Sequence, residues 1–217
     1  MSLAIFDIDL TLTRKPTWRQ FLLFANEGKP GFAARLGAAM APAALAYGLR
    51  QGTRMQVKEA ALRTGLAGRT EAELRPLAER FVDRLVTEGL RKKAQGVIAS
   101  HKADGHGVAV ATAAVDLIVD PLCDRLGIET RLCTPMAWKD GVLQDHFSGP
   151  NCYAEEKERQ VRALLEKRGE DLAAFYSDHV SDLGLLKLAR RGVAVNPSPA
   201  LAGVVAAEGL EMEDWDA

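Results

Sequence analysis

The sequence predicts an α/β fold, a Rossmann-like parallel sheet with a helical block inserted after its first strand, and three observations carry that expectation. An apolar run, Leu3-Ala4-Ile5-Phe6, stops abruptly at two carboxylates, Asp7 and Asp9. From Trp18 to about Lys102 apolar residues recur three or four apart and no strand is evident. From Gly107 onward strand-like and helix-like stretches alternate, the pattern of parallel strands covered by helices.

Each element has a local reason. The helical block is punctuated by Gly28-Lys29-Pro30, by Gly52-Thr53 and by Gly65 to Gly68, residues that end helices and make turns. Thr70-Glu71-Ala72-Glu73 is a capping-type start, and Leu74, Leu77, Phe81 and Leu85 behind it mark one apolar face. Trp18, Phe21 and Phe24, at helical spacing, read as packing residues. The uncharged stretch Leu36 to Leu49, broken by Pro42 and bounded by Arg35 and Arg50, is shorter than the ~20 residues of a membrane span. It reads as a helix internal to the insertion or as a dimer contact, with a greasy substrate pocket or a membrane-surface contact as the sharper alternative.

Beyond the insertion, Val108 to Thr112 reads as a strand, Val115 to Leu126 as a helix and Glu129 to Cys133 as a strand, with further strands at Leu172 to Tyr176 and Gly192 to Val195. Lys139-Asp140-Gly141-Val142 supplies an Asp-Gly turn suited to a short hairpin. Residues 1–15 and 103–217 are thus expected to form one core, with residues 16–102 as a helical cap over its catalytic edge, where it would serve as a lid.

Bulk composition narrows the function. The 217 residues, 47% hydrophobic, suffice for a substantial core. With 28 basic against 29 acidic residues the net charge is −1, so no global field recommends nucleic acid as a partner. Cys123, Cys133 and Cys152 are odd in number and lack a Cys-x-x-Cys pair, which argues against a disulfide framework or zinc site and for a reducing, cytoplasmic setting. The opening residues pass straight into a strand and show no secretory signal. Monomer and homodimer are both compatible with the sequence.

The chemistry lies in four separated pieces that α/β loops would gather at one sheet edge: Asp7, Asp9 and Thr11; Thr112; Lys157; and Asp178 with Asp182. These types fit phosphoryl transfer, since a carboxylate attacking a phosphoryl group needs cations to offset repulsion. Mg²⁺ takes oxygen ligands and keeps several waters, so Asp7 and Asp178, a backbone carbonyl and the substrate phosphate make a sufficient set, with Asp182 acting through water. Asp7, Asp9, Asp178 and Asp182 are the candidate metal residues. Asp7 is the expected nucleophile, Asp9 the acid and base, and Thr112 and Lys157 bind and neutralise the phosphoryl oxygens. Thr11, Thr112, Lys157 and Arg14 form the candidate substrate set, with Arg54 and Lys58 as further cations able to reach down from the cap. His179 is not required by a hard-cation site.

In these motifs the chain resembles the haloacid dehalogenase-like superfamily of phosphohydrolases. Asp7, Asp9 and Thr11 match its Asp-x-Asp-x-Thr motif, Thr112 its second, Lys157 its third, and Asp178 with Asp182 its fourth. The cap after the first motif, Gly149-Pro150-Asn151-Cys152 and Val195-Asn196-Pro197 are similar to the subgroup that includes phosphoserine phosphatase. The resemblance implies a Mg²⁺-dependent phosphatase acting on a small phosphomonoester through an aspartyl phosphate.

Two departures qualify it. Leu10 stands where the superfamily often has Gly or Asn. Arg14-Lys15-Pro16-Thr17-Trp18 is basic where phosphoserine phosphatases carry an acid for the substrate's amino group, so phosphoserine is not the expected substrate. Alternatives are phosphotransfer to an alcohol through the same intermediate, and a non-enzymatic phospho-accepting signalling domain. Chain order opposes the latter.

Overall fold

The computed structural model of the chain describes residues 2–217. Its strands are β1 (Ser2–Phe6), β2 (Gly107–Val115), β3 (Thr130–Thr134), β4 (Met136–Lys139), β5 (Val142–Phe147), β6 (Asp171–Ser177), β7 (Arg191–Val195) and β8 (Glu211–Glu213). All but β4 and β5 pair in parallel in one sheet, in the order β3-β2-β1-β6-β7-β8. The helices are α1 (Thr17–Phe24), α2 (Phe32–Gly48), α3 (Arg54–Gly65), α4 (Glu71–Arg84), α5 (Ala94–Ala103), α6 (Asp116–Leu126), α7 (Glu155–Arg168), α8 (Leu183–Leu188) and α9 (Pro199–Ala202).

Side-chain alternation along β1 divides the core. Ala4 and Phe6 join a large cluster that runs through the insertion to Phe21, Leu62, Leu74 and Phe81, while Leu3 and Ile5 face Val161, Leu185 and Leu186 on the other side. The next odd position, Asp7, therefore points to the α7 side. In register, Phe6 pairs with Val110 and with Tyr176, so Asp7, Thr112 and Asp178 all follow at the same carboxyl edge. The chain leaves β1 to one side for β2 and to the other for β6. That reversal opens the crevice in which open α/β sheets bind ligands.

The hairpin forms as expected: β4 and β5 are antiparallel, and Asp140 (φ 51°) with Gly141 (φ 73°) adopt the left-handed pair that a tight turn requires. It also ties the insertion down. Gly68 N–H donates to the Leu143 carbonyl (2.8 Å), Leu143 N–H to the Arg69 carbonyl (2.9 Å) and Glu71 N–H to the Gly141 carbonyl (2.8 Å). Reciprocal capping boxes start α3 (Thr53, Gln56) and α4 (Thr70, Glu73).

Three features depart from the sequence reading. Helix α5, inside the stretch expected as cap, lies along β2 and places His101 against Phe6 and Tyr176. Helix α2, expected to be internal to the insertion or a dimer contact, buries only Phe32 and Leu36, which opposes the internal alternative. A helix apolar all round reads as interior, but this one packs on α3 and presents its remaining alanines, Leu45, Tyr47 and the following Leu49 outward. Strand β8 was not expected, because Glu211-Met212-Glu213 carries no apolar alternation; it adds at the sheet edge, and Trp215 just beyond it is fully buried.

Candidate active site

Lys157, in the first turn of α7 and 2% exposed, is the centre of the site. Its Nζ donates to Asp182 Oδ2 (2.6 Å) and lies 3.2 Å from Asp7 Oδ1. Ser177 Oγ donates to the same Asp182 oxygen (2.7 Å), while Asp182 Oδ1 is buried with no partner. Burial disfavours the lysine's charge, but Asp182 and Asp7 outweigh it and hold the ammonium above its ordinary range. The same burial pushes the Asp7 carboxyl up to about 7, which Lys157 only partly offsets while Asp182, Asp178 and Asp9 add to it. Asp178 rises to about 6, again chiefly from burial. The site thus holds more carboxylates than its lysine can neutralise.

Thr11 and Asp178 lock the first motif to the end of β6. Asp178 N–H donates to Thr11 Oγ1 (3.0 Å), whose hydroxyl donates in turn to Asp178 Oδ1 (3.4 Å). Thr112 is fully buried near the end of β2, where its Oγ1 accepts from Ala114 N–H (3.2 Å).

Asp9 takes a different direction. Its Oδ1 accepts from both the N–H and the hydroxyl of Thr17 (2.8 Å each), so this carboxylate sits on the N-terminus of α1 and faces the cap. Burial raises its carboxyl above the ordinary value, with the two Thr17 bonds opposing. Among the described residues no three His, Cys, Asp or Glu side chains form a ready metal enclosure. The Asp9 carboxylate is engaged on α1 and one Asp182 oxygen on Lys157 and Ser177, which leaves Asp7 and Asp178 as the carboxylates turned to the sheet edge.

Arg14 does not join the site. It pairs with Asp216 (3.1 Å) and lines a cavity of about 600 Å³ with Phe24, Phe81 and Arg84, away from the catalytic acids. The cap cation that does reach in is Lys58 of α3, which donates to the Ala113 carbonyl (2.7 Å) and Asn151 Oδ1 (2.9 Å) and lies 4.9 Å from the Phe147 ring centre. Burial lowers its ammonium to about 8, with Asp9 the chief opposing charge. Arg54 stacks over Tyr153 at 4.2 Å. His179 caps its own turn, with Nδ1 accepting from Ser181 N–H (3.1 Å).

Several supporting residues escaped the sequence reading. Thr17 was signalled only by Pro16-Thr17 as a helix start, Ser177 by nothing beyond its place at the end of a strand, and Asn151 only by its place in the loop Gly149-Pro150-Asn151-Cys152. The turn Ile8–Leu12 holds Leu10 at φ 65°, a left-handed conformation that costs a leucine about 1–2 kcal/mol. Arg91, 9% exposed, fixes that turn: its Nε (3.0 Å) and Nη2 (2.7 Å) donate to the Leu10 carbonyl, and its backbone N–H to the Leu12 carbonyl (2.9 Å). Asp216 pairs with the remaining Arg91 nitrogen.

Comparison with known proteins agrees with this arrangement. The family model of haloacid dehalogenase-like hydrolases matches residues 4–187. Protein CicA of Caulobacter vibrioides is 33% identical over 190 residues, covering 86% of this chain and 82% of that protein. A histidinol-phosphatase of Neisseria meningitidis serogroup C is 28% identical over 142 residues, 63% of this chain and 64% of that protein. A solved Bordetella pertussis protein of unknown function superposes with a TM-score of 0.85 at 28% identity, covering 99% of this chain and 98% of that one. A substrate-bound phosphoserine phosphatase shares the fold, with a TM-score of 0.67 at 17% identity over 99% of this chain and 94% of that one. With one family model covering the chain from β1 through α8, the insertion included, the chain belongs to the haloacid dehalogenase-like hydrolases.

Proposed function

We propose that this hydrolase is a Mg²⁺-dependent phosphatase that cleaves a small phosphomonoester through a phosphorylated Asp7. The observation that carries the reading is the split of the two motif acids: Asp7 is held beside buried Lys157, and Asp9 is held by Thr17 on the cap side. In the first step an Asp7 oxygen attacks phosphorus, the bond to the leaving oxygen breaks, and Asp9 gives that oxygen its proton. In the second, Asp9 takes a proton from water as the water attacks the acyl phosphate, releasing phosphate and restoring Asp7. Lys157 and the Thr112 region offset the charge on the phosphoryl oxygens.

The donor set fits a magnesium ion. Asp7 and Asp178 are hard oxygen donors at the sheet edge with too few cations nearby, and the orphaned Asp182 Oδ1 is free to accept a hydrogen bond from a bound water. Asp7 and Asp178 would hold the ion directly and Asp182 through water, an arrangement needing no enclosure of three acids. When bound, the ion would supply charge neutralisation at the transferring phosphoryl group.

The leaving group is read from the cap, which here means α1–α4, since α5 packs on the sheet. Lys58 faces it, and residues 10–20 contain no acid to pair a substrate ammonium. An anionic or uncharged leaving group fits better than phosphoserine, with Lys58 taking the role first assigned to Arg14. The free thiols Cys123, Cys133 and Cys152 support a cytoplasmic setting. The test is turnover of p-nitrophenyl phosphate. Sustained Mg²⁺-dependent release that Asp7→Asn abolishes is expected, whereas a single stoichiometric phosphorylation without turnover would sink the proposal.

A further inference from the structure

The structure assigns an anionic-lipid docking surface to the corner between α2 and α3, a contact that does not depend on which phosphate ester the enzyme cleaves. Two of the large exposed hydrophobic residues, Leu45 (66%) and Leu49 (60%), lie one helical turn apart there. Around them the chain is one-signed: from Gly28 to Lys58 it contains Lys29, Arg35, Arg50, Arg54 and Lys58 and no Asp or Glu. Lys58 turns into the site and Arg54 donates to Tyr47 and stacks on Tyr153, but Arg50 beside Leu49 and Arg35 at the far end of α2 stay exposed, and neither has a carboxylate within ion-pair distance among the described residues. Elsewhere most arginines are paired, among them Arg63, Arg125, Arg131 and Arg191.

The occupant follows from the combination of charge and apolarity. A second copy of the chain meeting this face across a two-fold axis would set the same unpaired arginines against each other, a repulsive pairing. A surface that is apolar beneath and anionic above complements both features: the two leucines enter the headgroup boundary while Arg50 meets lipid phosphates. The cytoplasmic leaflet carries such lipids. No helix among the described residues is long and apolar enough to cross a membrane, so the contact is peripheral. Arg54 lies one helical turn before Lys58, so docking would set the cap-side entrance close to the lipid surface.

The test is co-sedimentation of the full chain with vesicles of phosphatidylcholine alone and with a third of the lipid replaced by phosphatidylglycerol. Binding is expected only to the mixed vesicles and is expected to weaken as salt rises from 50 to 500 mM, with screening. At ~1 kcal/mol for each basic residue near the surface, Arg50→Gln should weaken it about fivefold. Leu45→Asn with Leu49→Asn should weaken it further, with p-nitrophenyl phosphate turnover in solution and the thermal midpoint of every variant unchanged. Equal binding to both vesicle types, or none to either, would overturn the assignment. So would a concentration-dependent dimer that the leucine substitutions dissolve, which would show that a second copy covers this face.

Discussion

Arg91 should matter as much to the catalytic turn as the residues the turn carries. Arg91→Ala removes two charge-assisted hydrogen bonds to the Leu10 carbonyl and strands one end of Asp216. At ~1.5–3 kcal/mol for a bond to a charged group, and allowing for one shared acceptor that water re-solvates in part, the loss should be about 2–4 kcal/mol. Leu10 adds its left-handed backbone to what Arg91 must hold. Leu10→Gly relieves that strain and gives up some unfolded-state restriction, so alone it should change stability by under about 1 kcal/mol. In the Arg91→Ala background the relief should count for more, giving a coupling of about 1 kcal/mol in a urea double-mutant cycle. Turnover should fall chiefly in kcat, because the turn sets the directions of Asp7 and Asp9. The reasoning fails if Arg91→Ala lies within about 0.5 kcal/mol of the parent, or if the two substitutions simply add.

Other outcomes can be checked in parallel. Asp9→Asn should slow turnover while leaving Mg²⁺ affinity, measured by calorimetry, largely intact, because the Asp9 carboxylate is committed to Thr17; weakened affinity with an unchanged rate per bound metal would refute its role. His101 is held below its ordinary value of 6.5, first by burial and then by His106 and Arg191, so the folded state favours the neutral ring. Its stabilising contribution is therefore full above about pH 6.5 and is lost as pH falls below it, and His101→Gln should flatten the wild-type decline in urea stability between pH 6.5 and about 5. Gly192→Ala should destabilise by about 3 kcal/mol or more, because the new methyl would lie 2.2 Å from the Leu186 backbone oxygen. Gly184→Ala, which meets only the mobile end of Glu158, should cost far less, and equal thermal shifts for the two would contradict this packing argument.

How far the sequence could be read depended on how local each cause was. The strand before Asp7, the Asp-Gly hairpin and the Thr70–Glu73 box are decided by neighbours within a few residues, and each appears where the pattern placed it. Asp7, Lys157 and Asp178 converge because strand order and pleat leave them little choice of face. The errors arise where a distant partner decides. Arg14 looked like a pocket residue until Asp216, at the far end of the chain, claimed its guanidinium. The Asp9 carboxylate turns to α1 because of the amide of Thr17, which nothing in its own motif announces. The internal alternative for helix α2 fails for another reason: composition gives its hydropathy but cannot say whether a second layer of the same chain will cover it.

These distant contacts also bear on how the cap can act. A lid that swings as a rigid body must release Lys58 from Ala113 and Asn151, yet the backbone bonds from Gly68, Leu143 and Glu71 hold the other end of the cap to the hairpin. The hydrogen bonds at the Lys58 end come from one flexible side chain, those at the hairpin end from three peptide groups. The Lys58 end should open first, with the hairpin as the hinge line, because a single side-chain bond pair costs less to exchange for water than a stretch of paired backbone. That places the moving part beside Asp9, whose bonds to Thr17 also cross between the first motif and the cap. Opening there would loosen Asp9, the proposed acid and base, without disturbing Asp7, Lys157 and Asp182, so cap opening and the Asp9 carboxylate are linked through the same few contacts.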